Sequence, residues 1–295
     1  MMPLESATGN PHIGPVLPKI IRQNAAWSRL YLLPNVFGLD AALIAVIWQE
    51  VLARQWEVRL LWPERWSLFA AVAGIYLLDR WMDGRAIKKQ APENRRAVSW
   101  RHQVAAKWGN WLLLPASLFL VTSAWLALTF LPRTVLFTAA SLVPVCVIYF
   151  FWVHSIGKRQ PLPWEKAIVV GIIFSAGVAV APMALALGLS DDLRLAGVVL
   201  ILLLVSNCLA TSRCESRLTG VSGTLEPLPF LIIALLSAVG GWLLSQPPAM
   251  LFWSATLSAA GMLAVRLHQR SWPAETASFG YELALLLPII LVLCF

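Results

Sequence analysis

A chain of 295 residues that is 59% hydrophobic and only 13% charged, with a mean hydropathy of +0.71, lies outside the soluble range of about 45–50% apolar and 25% charged residues. That composition excludes an ordinary water-soluble domain and indicates an integral membrane protein. The net charge of +8 does not mark a nucleic-acid partner, because the basic residues lie between long apolar runs instead of on one domain face, as suits a protein in a lipid bilayer.

Residues 1–26 are polar and proline-containing and lack the short apolar core and small-residue cleavage site of a secretory leader, so they read as a cytoplasmic segment ahead of a single transmembrane domain over 27–295. A spanning helix needs about 20 mostly apolar residues. Runs of that kind occur near 30–53, 66–83, 105–130, 134–153, 166–188, 194–212, 226–245, 249–267 and 278–295, which predicts an all-α fold of nine transmembrane helices. Cys146, Cys208, Cys214 and Cys294 lie in or beside these runs without metal-ligand spacing.

The amino-terminal segment and the loops after spans two, four, six and eight carry 18 of the 23 Lys and Arg residues. By the positive-inside rule those loops and the amino terminus face the cytoplasm and the carboxyl terminus lies outside, with a bacterial inner membrane as the expected location. Many of the 15 tryptophans fall near span ends, where amphipathic rings sit at the headgroup level.

The end of span two reads GIYLLDRWMDGRAIKK. Asp79 and Asp83 are four residues apart and share one helix face, where like charges repel by a few tenths of a kcal/mol. A charge at mid-membrane costs about 2.5–3.5 kcal/mol, so a cation is expected beside them. Two sources are open: interfacial salt bridges to Arg80 and Arg85, or Mg²⁺, which favours carboxylate, water and phosphate oxygens. The basic run that follows, with Arg85, Lys88, Lys89, Arg95, Arg96 and Arg101, suits an anionic group on the same face or simply a positive-inside loop.

This placement resembles the UbiA superfamily of intramembrane prenyltransferases, whose NxxxDxxxD motif closes helix 2 of nine. Ile75 stands at the family's asparagine position, and IYLLDRWMD supplies the two aspartates. The loop after span four, YFFWVHSIGKRQPLPWEK, is similar to the family's tyrosine and Lys-Arg loop, with Tyr149, Lys158, Arg159 and Lys166. The family's second motif, DxxxD at the end of helix 6, falls on SNCLATSRCESRLTG: one register puts Ser212 and Ser216 at the aspartate positions, and the next puts Thr211 and Glu215 there with Asn207 ahead of them.

The resemblance implies nine helices around a central lipophilic cavity and Mg²⁺-dependent transfer of a prenyl group from a prenyl diphosphate to a lipophilic acceptor. On it, Asp79 and Asp83 would hold metal, Glu215 would be a residual second-site ligand, and Arg85, Lys88, Arg95, Lys158 and Arg159 would hold diphosphate. The loss of a second carboxylate pair leaves a different class open: a non-catalytic relative that binds an isoprenoid, quinone or pigment, or serves as an assembly subunit. A secondary transporter is the third reading, set back because the conspicuous charges gather at one interface instead of the midplane.

Asp40, read as lying near the middle of span one, is an intramembrane carboxylate and so a functional candidate, with Asn35 placed to share its cavity; the alternative is a protonated group bonded to a neighbouring helix. Glu282 poses the same question in span nine. His102, His154 and His268 read as interfacial side chains, since none has a ligand partner at helical spacing.

Overall fold

The computed structural model describes residues 32–88, 99–154, 162–186, 191–219, 226–244 and 250–294, and among them there is no strand. By internal contacts the chain divides into Met1–Leu33 and Pro34–Phe295, and the architecture below is that of the second unit. Its helices are α1 (Leu33–Val36), α2 (Leu39–Gln55), α3 (Trp62–Lys88), α4 (Trp100–Trp108), α5 (Leu113–Phe130), α6 (Arg133–His154), α7 (Pro163–Leu185), α8 (Asp191–Thr219), α9 (Leu228–Leu244), α10 (Met250–His268), α11 (Ala274–Leu286) and α12 (Ile289–Cys294). A 3₁₀ turn, Gly109–Leu112, joins α4 to α5.

Six helical segments are long and apolar enough to cross a membrane: Trp100–Phe130, Arg133–His154, Pro163–Leu185, Arg194–Leu218, Met250–His268 and Ala274–Cys294. Each coincides with one of the nine expected runs. The other three runs also fall on helices, but α2 and α9 have 17 residues each, about 25 Å of helix against a hydrocarbon core of about 30 Å. The third, α3, has 27 residues whose mean apolarity is diluted by Glu64, Arg65, Asp79, Arg80, Asp83, Arg85 and Lys88. Among the described residues the regular structure is therefore all helical, and its apolar segments make the chain a multi-pass membrane protein.

Helix starts follow local chemistry. At the head of α7, Pro163 sits where a missing N–H costs nothing, and the Glu165 carboxylate accepts the Leu162 N–H at 2.8 Å. Glu64 does the same for Leu61 at the head of α3, at 2.9 Å.

α8 lies inside the bundle, against α7, α9, α10 and α11, while α2 packs on α3, α7, α10 and α11. The main core forms where these helices meet, around Trp48, Leu52, Leu200, Leu203, Phe252, Met262, Tyr281 and Leu285. Trp48 satisfies its indole N–H on the Leu285 carbonyl at 3.0 Å, which ties α2 to α11. By contrast Leu114, Leu118, Val121, Trp125 and Leu128 repeat at spacings of four and three along α5, and all are exposed. That stripe is a lipid-facing surface: water would penalise it, and hydrocarbon does not.

Two glycines set how the helices meet at the charged end. Gly38 takes φ +66°, a left-handed conformation that breaks the helix between α1 and α2. Asp40 consequently stands in the first turn of α2 and not mid-span, as the uninterrupted apolar run suggested. At Gly84 on α3, a Cβ would come within 2.8 Å of the Ala105 carbonyl group, so only glycine lets α4 lie this close.

Candidate functional site

Asp79 and Asp83 project from one face of α3 as it ends, and the side chains meeting them come from helices far away in sequence. Lys166, in the first turns of α7, places its ammonium 3.4 Å from Asp79 Oδ1 and 3.8 Å from Asp83 Oδ1. His154, the last residue of α6, brings Nε2 to 3.3 Å from the same Asp79 oxygen. Arg80, only 6% exposed, holds Nη1 3.9 Å from Asp83 Oδ2, and its Nε has no hydrogen-bond partner among the described residues.

The close approach of α4 at Gly84 extends the cluster. His102 spans two carboxylates, with Nδ1 3.6 Å from Asp83 Oδ2 and Nε2 3.2 Å from Glu215 Oε1 on α8. Glu215 Oε1 also takes the Arg101 guanidinium, with Nε at 2.7 Å and Nη2 in contact, and lies 3.3 Å from the Ser99 hydroxyl. Arg101 turns its remaining nitrogen, Nη1, to Asn35 Oδ1 at 3.4 Å and to Glu282 Oε1 at 3.7 Å. Asn35 in turn donates from Nδ2 to Asp40 Oδ2 at 2.9 Å and to Glu282 Oε2. A continuous polar chain thus runs from His154 to Asp40 through seven helices.

Its sign varies along its length. Asp79, Asp83 and Glu215 are faced by Lys166, Arg80, His102, His154 and two nitrogens of Arg101. Asp40 and Glu282 share the third nitrogen alone among the described cations within ion-pair range. Beside them is a small cavity whose polar wall is Asp40, Tyr76, Asn207, Cys208 and Glu282, and whose apolar wall includes Phe174 and Leu204.

The donor set can be tested against a metal. One ligand atom each from Asp79, Asp83 and His154 lie within 4.8 Å of one another. The two carboxylates fit a hard divalent cation such as Mg²⁺, with water or phosphate oxygens completing its shell; the imidazole is a ligand of softer ions, and Lys166 supplies positive charge to both carboxylates.

The other sequence candidates fall as follows. Of the two registers for the second motif, the cluster receives Glu215, while Ser216 turns back to the Arg213 carbonyl at 2.9 Å and Thr211 to that of Asn207. Ser212 is half-buried on the same helix. Arg85 is exposed and stacks over Trp81, 4.9 Å from its ring centre, and Lys88 carries its ammonium against Gly109, so neither points at the aspartates. Arg95, Lys158 and Arg159 lie outside the described residues. Arg80 is the salt-bridge partner of Asp83 that the sequence already offered. His102 and His154, which read as interfacial side chains only, are the members that sequence reasoning missed, and their one shared signal is that each sits at the basic end of its span.

A further ion cluster, Glu226 with Arg213 and Arg266 (2.6 Å to the latter), joins α8 to α10 at residues with no contact to the aspartates. No protein-family model matches the chain, and no curated protein or solved structure is similar enough to count as a match.

Proposed function

We propose that the chain is a UbiA-like, Mg²⁺-dependent membrane prenyltransferase, with its charged end toward the cytoplasm of a bacterial inner membrane. The observation that carries this reading is that Asp79 and Asp83 share one face with Lys166 between them and Glu215 one imidazole away. Carboxylates suited to a metal and cations suited to a diphosphate thereby occupy one place.

Asp79 and Asp83 would hold the ion, which when bound supplies Lewis-acid neutralisation of a diphosphate leaving group. Lys166 and Arg80 would pair with phosphate oxygens, charge stabilisation that counts for more where water is excluded. The prenyl C–O bond breaks with its electron pair passing to the diphosphate, and a nucleophilic atom of the lipophilic acceptor bonds to the prenyl carbon and gives up a proton. His102, Glu215 and Arg101 are positioning residues, since their contacts fix Asp83 and α4.

A second reading rests on a specific feature: Glu215 is already matched by Arg101, His102 and Ser99, so the second carboxylate site is one residue deep and engaged. A non-catalytic isoprenoid or quinone binder would tolerate that. Purified protein in nanodiscs distinguishes the two when titrated with farnesyl and longer prenyl diphosphates, with and without Mg²⁺. Metal-dependent binding that disappears in the folded Asp79→Asn/Asp83→Asn variant supports the transferase; metal-independent binding of the free isoprenoid alcohol supports the carrier.

A further inference from the structure

Asp40 and Glu282 form a second buried pair, on α2 and α11, whose surroundings differ from those of the aspartates on α3. Asn35 links them by donating to one oxygen of each, and the Ala41 N–H donates to Asp40 Oδ1 at 2.8 Å. The positive charge facing them is Arg101, which reaches Glu282 at 3.7 Å with one nitrogen and commits the other two to Glu215. Arg80 forms its ion pair with Asp83 instead. Two buried carboxylates facing one guanidinium that Glu215 also engages are left with at least one uncompensated negative charge, in a place where an unpaired charge is costly.

Asn207 supplies an independent observation. It is 9% exposed, lines the same cavity, and its Oδ1 is buried without a hydrogen-bond partner among the described residues. An orphaned amide oxygen needs a donor or a cation. Tyr76 adds a phenolic oxygen to the same wall. The cavity has room for no more than a few water molecules, which excludes an organic ammonium or an isoprenoid head as its occupant.

We infer that Asp40, Glu282 and Asn207 hold one small monovalent cation, with sodium as its representative. Hard oxygen donors select such an ion over a transition metal. With the Arg101 guanidinium already facing Glu282, a single further positive charge brings the pair toward neutrality. The ion would neutralise the carboxylate pair and lock α2 to α8 and α11, the helices that bring the three residues together. This inference stands apart from prenyl transfer, since it uses neither Asp79 nor Asp83.

The test is thermal unfolding of the full chain in detergent at fixed pH and ionic strength, with NaCl exchanged stepwise for choline chloride. Sodium is expected to raise Tm saturably, by about 2 °C or more. The response should vanish in Asp40→Asn and in Asn207→Leu and persist in Asp79→Asn. If Asp40→Asn does not fold, Glu282→Gln and radiolabelled sodium binding to the wild type serve in its place. Identical unfolding in the two salts overturns the inference, as does a sodium response that survives in both Asn207→Leu and Glu282→Gln. A stability that follows pH and ignores sodium also overturns it, because the pair then shares a proton.

Discussion

The Lys166 ammonium lies 3.4 Å from Asp79 Oδ1, joining the first turns of α7 to the end of α3 across 87 positions of sequence. Because it also stands 3.8 Å from Asp83, one cation serves two carboxylates. Removing it leaves like charges four residues apart with weakened compensation.

Lys166→Met is therefore expected to destabilise the protein by about 1–3 kcal/mol, below the 3–5 kcal/mol of a fully buried pair because the lysine is partly exposed. Millimolar Mg²⁺ should restore more of the lost Tm in this variant than it adds to the wild type, since a divalent ion can take over the neutralisation. Thermal unfolding with and without the metal checks this. An equal response in both proteins would argue against a metal on these carboxylates.

The meeting of α3 and α4 depends on a missing methyl group. A Cβ on Gly84 would stand 2.8 Å from Ala105 carbonyl atoms, which are backbone and cannot rotate away. Gly84→Ala should cost about 1–3 kcal/mol through displacement of α4. Gly177→Ala and Gly197→Ala, where a Cβ meets nothing within 4 Å, should be neutral or stabilising by up to about 1 kcal/mol through helix propensity. Comparing the three melting curves separates close approach from a general intolerance of glycine replacement.

Much of this end of the bundle was legible from spacing alone. Asp79 and Asp83 had to share a face, and the positions of basic residues marked the ends of spans that gather there. Apart from Arg80 their partners were not legible, because His154 and Lys166 come to Asp79 from α6 and α7, a pair of helices packed on each other and distant from α3 in sequence. Arg85 was drawn to the site by proximity in sequence, yet four residues of helix place it over Trp81. Glu215 and Ser216 are adjacent, so composition could not choose between registers; the reach of Arg101 and His102 from α4 does. The depth of Asp40 was misjudged because the break at Gly38 lies inside an apolar run that reads as continuous.

Arg101 and Glu215 should behave as one unit. Glu215 Oε1 receives two nitrogens of the guanidinium, and both side chains are largely buried. Arg101→Met and Glu215→Gln are each expected to cost about 2–4 kcal/mol, since each strands a charge. The double variant should cost less than the sum by about 1–3 kcal/mol. A cycle built from denaturant unfolding reads this coupling directly, and strict additivity would mean that the pair is screened like a surface contact.

The cytoplasmic placement proposed for the site rests on the asymmetry of the loops and can be tested directly. Arg270 lies between α10 and α11, at the end where Arg101, Lys166 and Arg266 gather, and Arg133 begins α6 at the other end; both are exposed. In a background lacking the four native cysteines, a membrane-impermeant maleimide applied to intact cells should label Arg133→Cys and spare Arg270→Cys until the membrane is opened. That pattern would put Asp79, Asp83 and Glu215 within reach of soluble diphosphates in the cytoplasm. The reverse pattern would break the positive-inside bias carried by 18 of the 23 basic residues and would place the carboxylates where no cytoplasmic prenyl diphosphate could reach them.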